Sequence, residues 1–300
     1  MENFAAPARP IVARMTEAAA ADPTRAVAFQ GAPGANSHVA AVEAFPDGLP
    51  LPCFDFSDAN DAVKDGRADC AIIPIENSLH GRVADIHFLL PESGLVITGE
   101  HFLPIRHALM GCGPRDGIRQ AMSHPQALGQ CRHWLKAHGI EPVSYPDTAG
   151  AAAKVAELAD PAIAALAPPA AAGLYGLDLL ATDIADADHN TTRFVVLARG
   201  GKPPAAQEPV GGAWMTTLIF EVKNVPAALY KAMGGFATNG VNMTKLESYQ
   251  RGGTFAATEF FCDIEGRPGE PHIDRALDEL RFHSKWVRLL GTYGRARERG

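Results

Sequence analysis

A chain of 300 residues is long enough for about two domains, each with a buried core. Its 47% hydrophobic and 20% charged content describes an ordinary globular protein, and a net charge of −7 argues against nucleic acid or an acidic membrane as partner. Cys53, Cys70, Cys112, Cys131 and Cys262 are odd in number and form no C-x-x-C pair, which excludes a disulfide framework and a zinc site and suits a reducing cytoplasm.

Residues 1–24 are alanine-rich and broken by Pro7, Pro10 and Pro23, with Arg9 and Arg14 interrupting any apolar run. They read as a frayed or loosely helical extension without a secretory signal. The longest uncharged apolar stretch, Pro161 to Leu177, contains three prolines, so no membrane span is expected. Ala26 to Gln30 is a short buried strand. Gly31-Ala32-Pro33-Gly34 turns the chain into a helix capped by Asn36 or Ser37, and the free N–H groups of that start offer a seat for an anion. No lysine follows Gly34, so this is not a P-loop.

Ala71 to Ile75 is a second apolar strand, ending in Glu76-Asn77-Ser78. In open α/β sheets ligands sit beyond the carboxyl ends of strands, where this triplet falls; the competing reading is a polar turn that caps the next helix. Leu95 to Thr98 and Phe102 to Met110 read as two extended stretches. Ile118 to Met122 is a strand running into Ser123-His124-Pro125-Gln126, a capping box with proline in the first turn. The helix is expected to continue through Leu128, Cys131 and Leu135 to Gly139, with Gln130 on the same face as Gln126, and His124 as a first-turn residue rather than a base.

Ala149 to Leu158 is a helix, Ala162 to Leu166 a strand, and Pro168-Pro169 opens a helix through Tyr175. Alternation of strand and helix argues for a mostly parallel sheet. Asp188-His189-Asn190-Thr191-Thr192-Arg193-Phe194 then runs into the strand Phe194 to Leu197. A hydroxyl next to an arginine suits an anionic substrate with a leaving oxygen, whereas the plain alternative is a strand start beside a surface charge. Residues 200–212 read as a linker.

Beyond it, Trp214 to Val222 alternates as a half-buried strand. Pro226 to Thr238 is a helix, Val241 to Tyr249 a strand, Arg251-Gly252-Gly253 a turn and Thr254 to Ile264 a strand. His272 to Phe282 is a helix and Trp286 to Leu290 a last strand. The order βαββαβ is a ferredoxin-like unit.

The ordered landmarks Gln30-Gly31 to Gly34, Pro74-Ile75-Glu76-Asn77-Ser78 with Gly81, Ser123-His124-Pro125-Gln126-Ala127-Leu128 with Gln130-Cys131, and Asn190-Thr191-Thr192-Arg193-Phe194 together resemble prephenate dehydratase with a C-terminal ACT regulatory domain. The resemblance covers about Val27 to Tyr293. It implies an α/β fold with a two-lobed, periplasmic-binding-protein-like catalytic domain over 25–199 and a ferredoxin-like βαββαβ ACT domain over 213–294. It also implies loss of carbon dioxide and the ring hydroxyl from prephenate to give phenylpyruvate. Aromatisation drives that reaction, so neither metal nor cofactor is called for.

By the same resemblance Thr192 meets the departing hydroxyl, transferring a proton itself or through water. Asn77, Ser123 and Gln130 line the catalytic cleft. Arg193 anchors a substrate carboxylate through its planar fork, with Glu76, Ser78, Thr191, Phe194 and Gly34 completing the substrate site. Glu76 is either an orienting group or an acid. An allosteric site for phenylalanine falls on Asn224, Pro226, Ala227, Ala228 and Leu229 with Glu247 and Ser248, in a homodimer or homotetramer. Two departures touch it: Ala227 stands where the family's loop has glycine, and Tyr249-Gln250 where it has Arg-Pro. Arogenate dehydratase and a non-catalytic amino-acid sensor remain alternatives, while the 25 or so residues before Ala26 are too few for a fused chorismate mutase.

Overall fold

A computed structural model describes residues 4–200, 209–250 and 259–299. The expected turn at Arg251 to Gly253, the start of the strand from Thr254, and most of the 200–212 linker lie outside the described residues. The chain forms two compact units, Met1–Leu89 with His101–Val195, and Leu90–Glu100 with Val196–Gly300. The stretch 90–100 therefore groups with the C-terminal unit although it lies inside the 25–199 span.

In chain order the elements are α1 (Arg9–Ala21), β1 (Ala26–Gln30), α2 (Asn36–Ala44), β2 (Leu49–Cys53), α3 (Phe56–Lys64), β3 (Cys70–Asn77), β4 (Gly81–Arg82), α4 (Ala84–Glu92), β5 (Val96–Pro104) and β6 (Ala108–Gly111). They continue as β7 (Gln120–Ser123), α5 (Pro125–Gln130), α6 (Arg132–Ala137), β8 (Glu141–Ser144), α7 (Thr148–Leu158), β9 (Ile163–Ala167), α8 (Ala170–Tyr175), β10 (Asp178–Ala181) and β11 (Thr191–Ala198). The C-terminal run is β12 (Trp214–Val222), α9 (Ala228–Thr238), β13 (Met243–Tyr249), β14 (Glu259–Glu265), α10 (Pro271–His283) and β15 (Ser284–Gly294).

The first unit is a two-lobed α/β body of the periplasmic-binding-protein kind. One lobe carries the strand order β11-β3-β1-β2, with β1 parallel to both β2 and β3. The other carries β10-β6-β9-β7-β8, in which β7 runs parallel to β8 and β9 while β6 runs antiparallel to β9. This second sheet is covered on one side by alanine-rich α7 and α8, where Ala149, Ala151, Ala152 and Ala153 are fully buried. Small side chains let helix and sheet approach closely. On its other side Leu128, Cys131 and Leu135 from α5 and α6 meet Leu109, Ala121 and Leu166.

The N-terminal segment differs from the expected loose extension. Pro10 sits in the first turn of the 13-residue α1, where its missing N–H costs nothing. Ala8 and Ile11 are buried in the same cluster as α7. Apolar residues spaced to one helix face provide the docking that propensity alone does not. The helix after Pro125 also differs, because it breaks at Cys131 (φ −117°, ψ 16°) into α5 and α6 and leaves Gln130 as the last residue of a single short turn.

The second unit carries a ferredoxin-like sheet with strand order β13-β14-β12-β15. The four strands pair antiparallel, for instance Leu218 with Cys262 and Phe220 with Val287. Leu218, Phe220 and Cys262 pack against Phe236 of α9 and Leu277 and Leu280 of α10. At the edge, Gly291 of β15 pairs with Ile97 of β5, and a Cβ on Gly291 would come within 2.0 Å of the Ile97 carbonyl oxygen, so only glycine fits.

α9 begins at Ala228 rather than at Pro226, so the expected proline-led helix start is displaced by two residues. Ala227 precedes it in left-handed geometry (φ +60°, ψ 21°), which an L side chain adopts at a cost. Replacing Ala227 with glycine should therefore raise the thermal midpoint by about 1–3 °C, corresponding to a net gain below ~1 kcal/mol. Scanning calorimetry of the two proteins checks this, and a lowered midpoint would show that the methyl group stabilises the loop.

Candidate active site

Within the first unit a cavity of about 370 Å³ opens between the two lobes. From the first lobe it is lined by Gln30, Gly31, Ser37, Asn77, His80, Thr192 and Phe194, and from the second by His107, His124, Gln126, Gln130 and Asp147, among others. Of the sequence-expected residues, the structure thus brings together Asn77, Gln130, Thr192 and Phe194.

The centre of the arrangement is the pair Asn77 and Thr192. Asn77 Oδ1 accepts the backbone N–H groups of Leu79 and His80, each at 3.0 Å, which fixes the amide orientation. Asn77 Nδ2 then donates to Thr192 Oγ1 at 3.0 Å and to Asn190 Oδ1 at 2.7 Å. A hydroxyl that accepts from an amide keeps its own proton available for another acceptor. Thr192 is only 9% exposed, so that proton is presented in a largely desolvated place. The competing reading of Asn77-Ser78 as a capping turn is half right: Ser78 Oγ donates to the His189 carbonyl and accepts the Thr191 N–H, locking the ends of β3 and β11 in register.

Gln130 lies across the cavity. Its Oε1 is 2.6 Å from His107 Nε2, and its Nε2 is 3.2 Å from His80 Nδ1, which is itself 3.1 Å from Asn77 Oδ1. A polar chain therefore runs His107–Gln130–His80–Asn77–Thr192. Burial lowers the His107 pKa below its usual value, partly opposed by the bond to Gln130, and burial likewise lowers that of His124, opposed by Asp147. Both imidazoles are neutral at pH 7, which leaves them as hydrogen-bonding rather than charged partners. Asp147 caps α7 by accepting from Ala149 and Gly150, and burial raises its carboxyl pKa against those bonds.

Six expected site residues, Gly34, Glu76, Ser78, Ser123, Thr191 and Arg193, are not in the cavity wall. Arg193, expected as the fork for a substrate carboxylate, is 2% exposed and its Nη1 bonds Glu76 Oε1 at 3.0 Å. Adjacent residues on a strand point to opposite faces, so sending Thr192 and Phe194 into the cavity sends Arg193 away from it. Glu76 goes with it. Ser123 is fully buried, and its Oγ donates to the Leu166 carbonyl at 2.6 Å, tying β7 to β9. The residue that caps α5 is His124, whose Nδ1 accepts the Gln126 N–H. Gly34 turns its N–H to His38 Nδ1 at 3.0 Å and packs against α8, where a Cβ would meet Ala171 Cα at 2.9 Å.

An Arg193→Lys variant should accordingly lose roughly 1–3 kcal/mol of stability while its KM stays within about threefold of the parent. A tenfold rise in KM with an unchanged thermal midpoint would restore the anchor role. His80, His107, Gln126 and Asp147 were not singled out as site residues from sequence, since lone polar residues in loops and caps carry no spacing that marks a cavity.

In the second unit, Glu247 forms an ion pair with Lys245 at 2.7 Å. Buried thiols are held high, with Cys53, Cys70 and Cys131 pushed up to about 12, and are inert at neutral pH. Among the described residues no three His, Cys, Asp or Glu side chains converge to hold a metal ion, and no helix is long and apolar enough to cross a membrane.

The comparisons with known proteins agree with one another. A bifunctional N-acyl-homoserine lactone acylase/prephenate dehydratase of Komagataeibacter europaeus is 49% identical over 90% of this chain and 95% of its own length. An arogenate dehydratase/prephenate dehydratase of Arabidopsis thaliana is 35% identical over 89% of this chain and 71% of its own. The crystal structure of prephenate dehydratase from Arthrobacter aurescens in complex with L-Phe superposes with a TM-score of 0.80 at 31% identity, covering 90% of both chains. The prephenate dehydratase family model matches residues 27–202, more than half of the chain and the whole cavity lining, so this protein belongs to the prephenate dehydratase family.

Proposed function

We propose that this enzyme converts prephenate to phenylpyruvate, carbon dioxide and water, and that its ACT unit, residues 213–294, binds phenylalanine as a feedback inhibitor. The observation that carries the catalytic part is the Asn77 to Thr192 hydrogen bond, which leaves the Thr192 proton facing the cavity. As the ring carboxylate leaves as carbon dioxide, its electron pair aromatises the ring and expels the hydroxyl. The departing oxygen gains negative charge and needs a hydrogen-bond donor at that moment. Thr192 is too weak an acid to be fully ionised, and acts as a positioned donor.

Arogenate is the second reading, favoured by the plant relatives that carry that name. It differs from prephenate in an amine replacing the side-chain keto group. The acylase half of the Komagataeibacter relative's name calls for an activated nucleophile. Ser123 is spent on a carbonyl and Thr192 accepts from an amide, so the geometry supports carrying over the dehydratase half. Turnover of the purified protein on prephenate and on arogenate, followed as phenylpyruvate or phenylalanine, separates the two readings. Absence of turnover on both would overturn the proposal.

Support for the regulatory half comes from the Arthrobacter structure, which holds L-Phe in a protein covering 90% of this chain. Calorimetric titration with phenylalanine alongside light scattering tests it. The expected result is binding by a homodimer or homotetramer, and a monomer that binds no aromatic amino acid at millimolar concentration would sink it.

A further inference from the structure

Three helices of more than two turns, α2, α3 and α7, place first-turn residues in the cavity wall, and they differ in how those N-termini are filled. α3 is closed by Asp55, which accepts the Asp58 N–H at 2.8 Å. α7 is closed by Asp147, itself in the cavity wall, whose carboxylate accepts the Ala149 and Gly150 N–H groups at 3.2 and 2.8 Å. α2 has Ala35 at its N-cap, with no side-chain acceptor. The preceding Gly34 N–H is turned away to His38. The first N–H groups of a helix have no intrahelical acceptor, so those of Asn36 and Ser37 are left to whatever the cavity holds.

A second observation points the same way. Ser37 is 6% exposed and lines the cavity, and its hydroxyl makes no hydrogen bond within the protein. The hydroxyl is not sealed inside the protein, so its hydrogen-bonding capacity is open to whatever fills the cavity. Meanwhile, no Lys or Arg stands among the described residues lining the cavity, because Arg193 is turned to Glu76. A dianion entering here meets no cationic side chain in the wall. The donors on offer are neutral: amide and imidazole side chains such as Gln30, Gln126 and His124, hydroxyls, and the uncapped backbone N–H groups at the start of α2, which add the positive end of a helix.

We propose that the first turn of α2, with Ser37 Oγ, receives the side-chain (pyruvyl) carboxylate of the substrate, an inference that rests on the dehydratase reading above. The choice between the two carboxylates follows from the chemistry. The ring carboxylate departs as carbon dioxide, and hydrogen bonds that stabilise it in the ground state would slow its departure. The side-chain carboxylate keeps its charge from substrate through product, so holding it strengthens binding equally in ground and transition states. At α2 the substrate does what Asp147 does at α7.

Such uniform binding has a kinetic signature. Ser37→Ala should raise KM for prephenate, and Kd for the product phenylpyruvate in calorimetry, by about tenfold while kcat stays within about twofold. Ser37→Asp places a carboxylate at the helix start, where the dipole favours it, so the fold and thermal midpoint should be retained while binding of both ligands is lost. Wild-type turnover combined with unchanged KM and Kd in Ser37→Ala overturns the carboxylate seat alone, and so does a folded Ser37→Asp that binds phenylpyruvate like the parent. If Ser37→Asp fails to fold, the Ser37→Ala titration decides by itself. Wild-type protein inactive on prephenate and on arogenate overturns the dehydratase reading, and this inference with it.

Discussion

Thr192→Ala should lower kcat on prephenate by about 10²-fold or more, with a smaller change in KM. On the proposed reaction the hydroxyl meets the departing oxygen, and its orientation is set from behind. Asn77 is pinned by two backbone N–H groups and donates to Thr192 Oγ1, so the hydroxyl proton has only the cavity to face. Thr192→Val removes the donor while keeping the shape of the β-branched side chain, and should match the alanine variant. Thr192→Ser retains a donor with more rotational freedom at χ1 and should keep part of the activity. Steady-state assays of the three variants, read as phenylpyruvate formation, form one experiment. An alanine variant that turns over like the parent would remove Thr192 from the mechanism and leave the Asn77 bond as a purely structural tie.

Acidification from pH 7 to pH 4 should cost the fold on the order of 3 kcal/mol through His38 alone. The ring is buried beside Phe29, with ring centroids 5.1 Å apart, and burial lowers its pKa from 6.5 to about 4. Its Nδ1 accepts the Gly34 N–H, a role open only to the unprotonated nitrogen. Between pH 6.5 and 4 the unfolded chain binds a proton that the folded chain refuses, so stability rises with pH across that window. The contribution is fully present above 6.5 and lost as pH falls through it towards 4. His107, also lowered by burial, acts in the same direction. Urea unfolding at pH 7, 5.5 and 4 measures the slope, and a His38→Gln variant should flatten it. An unchanged pH dependence in that variant would assign the acid sensitivity elsewhere. Because His38 holds the turn that leads into α2, the same protonation should loosen the cavity wall before the molecule unfolds.

Much of this molecule could be read from the chain alone, wherever the deciding forces were local. β1 (Ala26–Gln30) and β12 (Trp214–Val222) begin and end where apolar runs or alternation begin and end. The order of the ferredoxin-like unit followed from periodicity switching between two and 3.6 residues. The polar ends of β3 and β11 were legible too. Three polar residues at the carboxyl end of a buried strand, and Asn-Thr-Thr before another, make sense only if something polar lies between them.

What the chain alone left open was direction. Sequence proximity put Arg193 beside Thr192, but the pleat of β11 puts them on opposite faces, and the neighbouring strand supplies Glu76 as the partner that keeps the guanidinium buried. Ser123 looked like a cap and a cleft residue, yet the second sheet closes over it and the Leu166 carbonyl accepts its hydrogen bond. Residues 1–24 read as a frayed or loosely helical extension, whereas Arg9–Ala21 is a docked helix, with Ala8 and Ile11 buried in the cluster that holds Ala149 and Ala153 of α7. His80, His107 and Asp147 are separated by 27 and 40 residues from one another along the chain, and converge on one cavity through the folding of two lobes. Local pattern sets which segments become strand or helix because it sums nearest-neighbour preferences. Which side of a strand meets a ligand, and which helix end is left without a cap, depends on partners far along the chain, and only the packed structure supplies them.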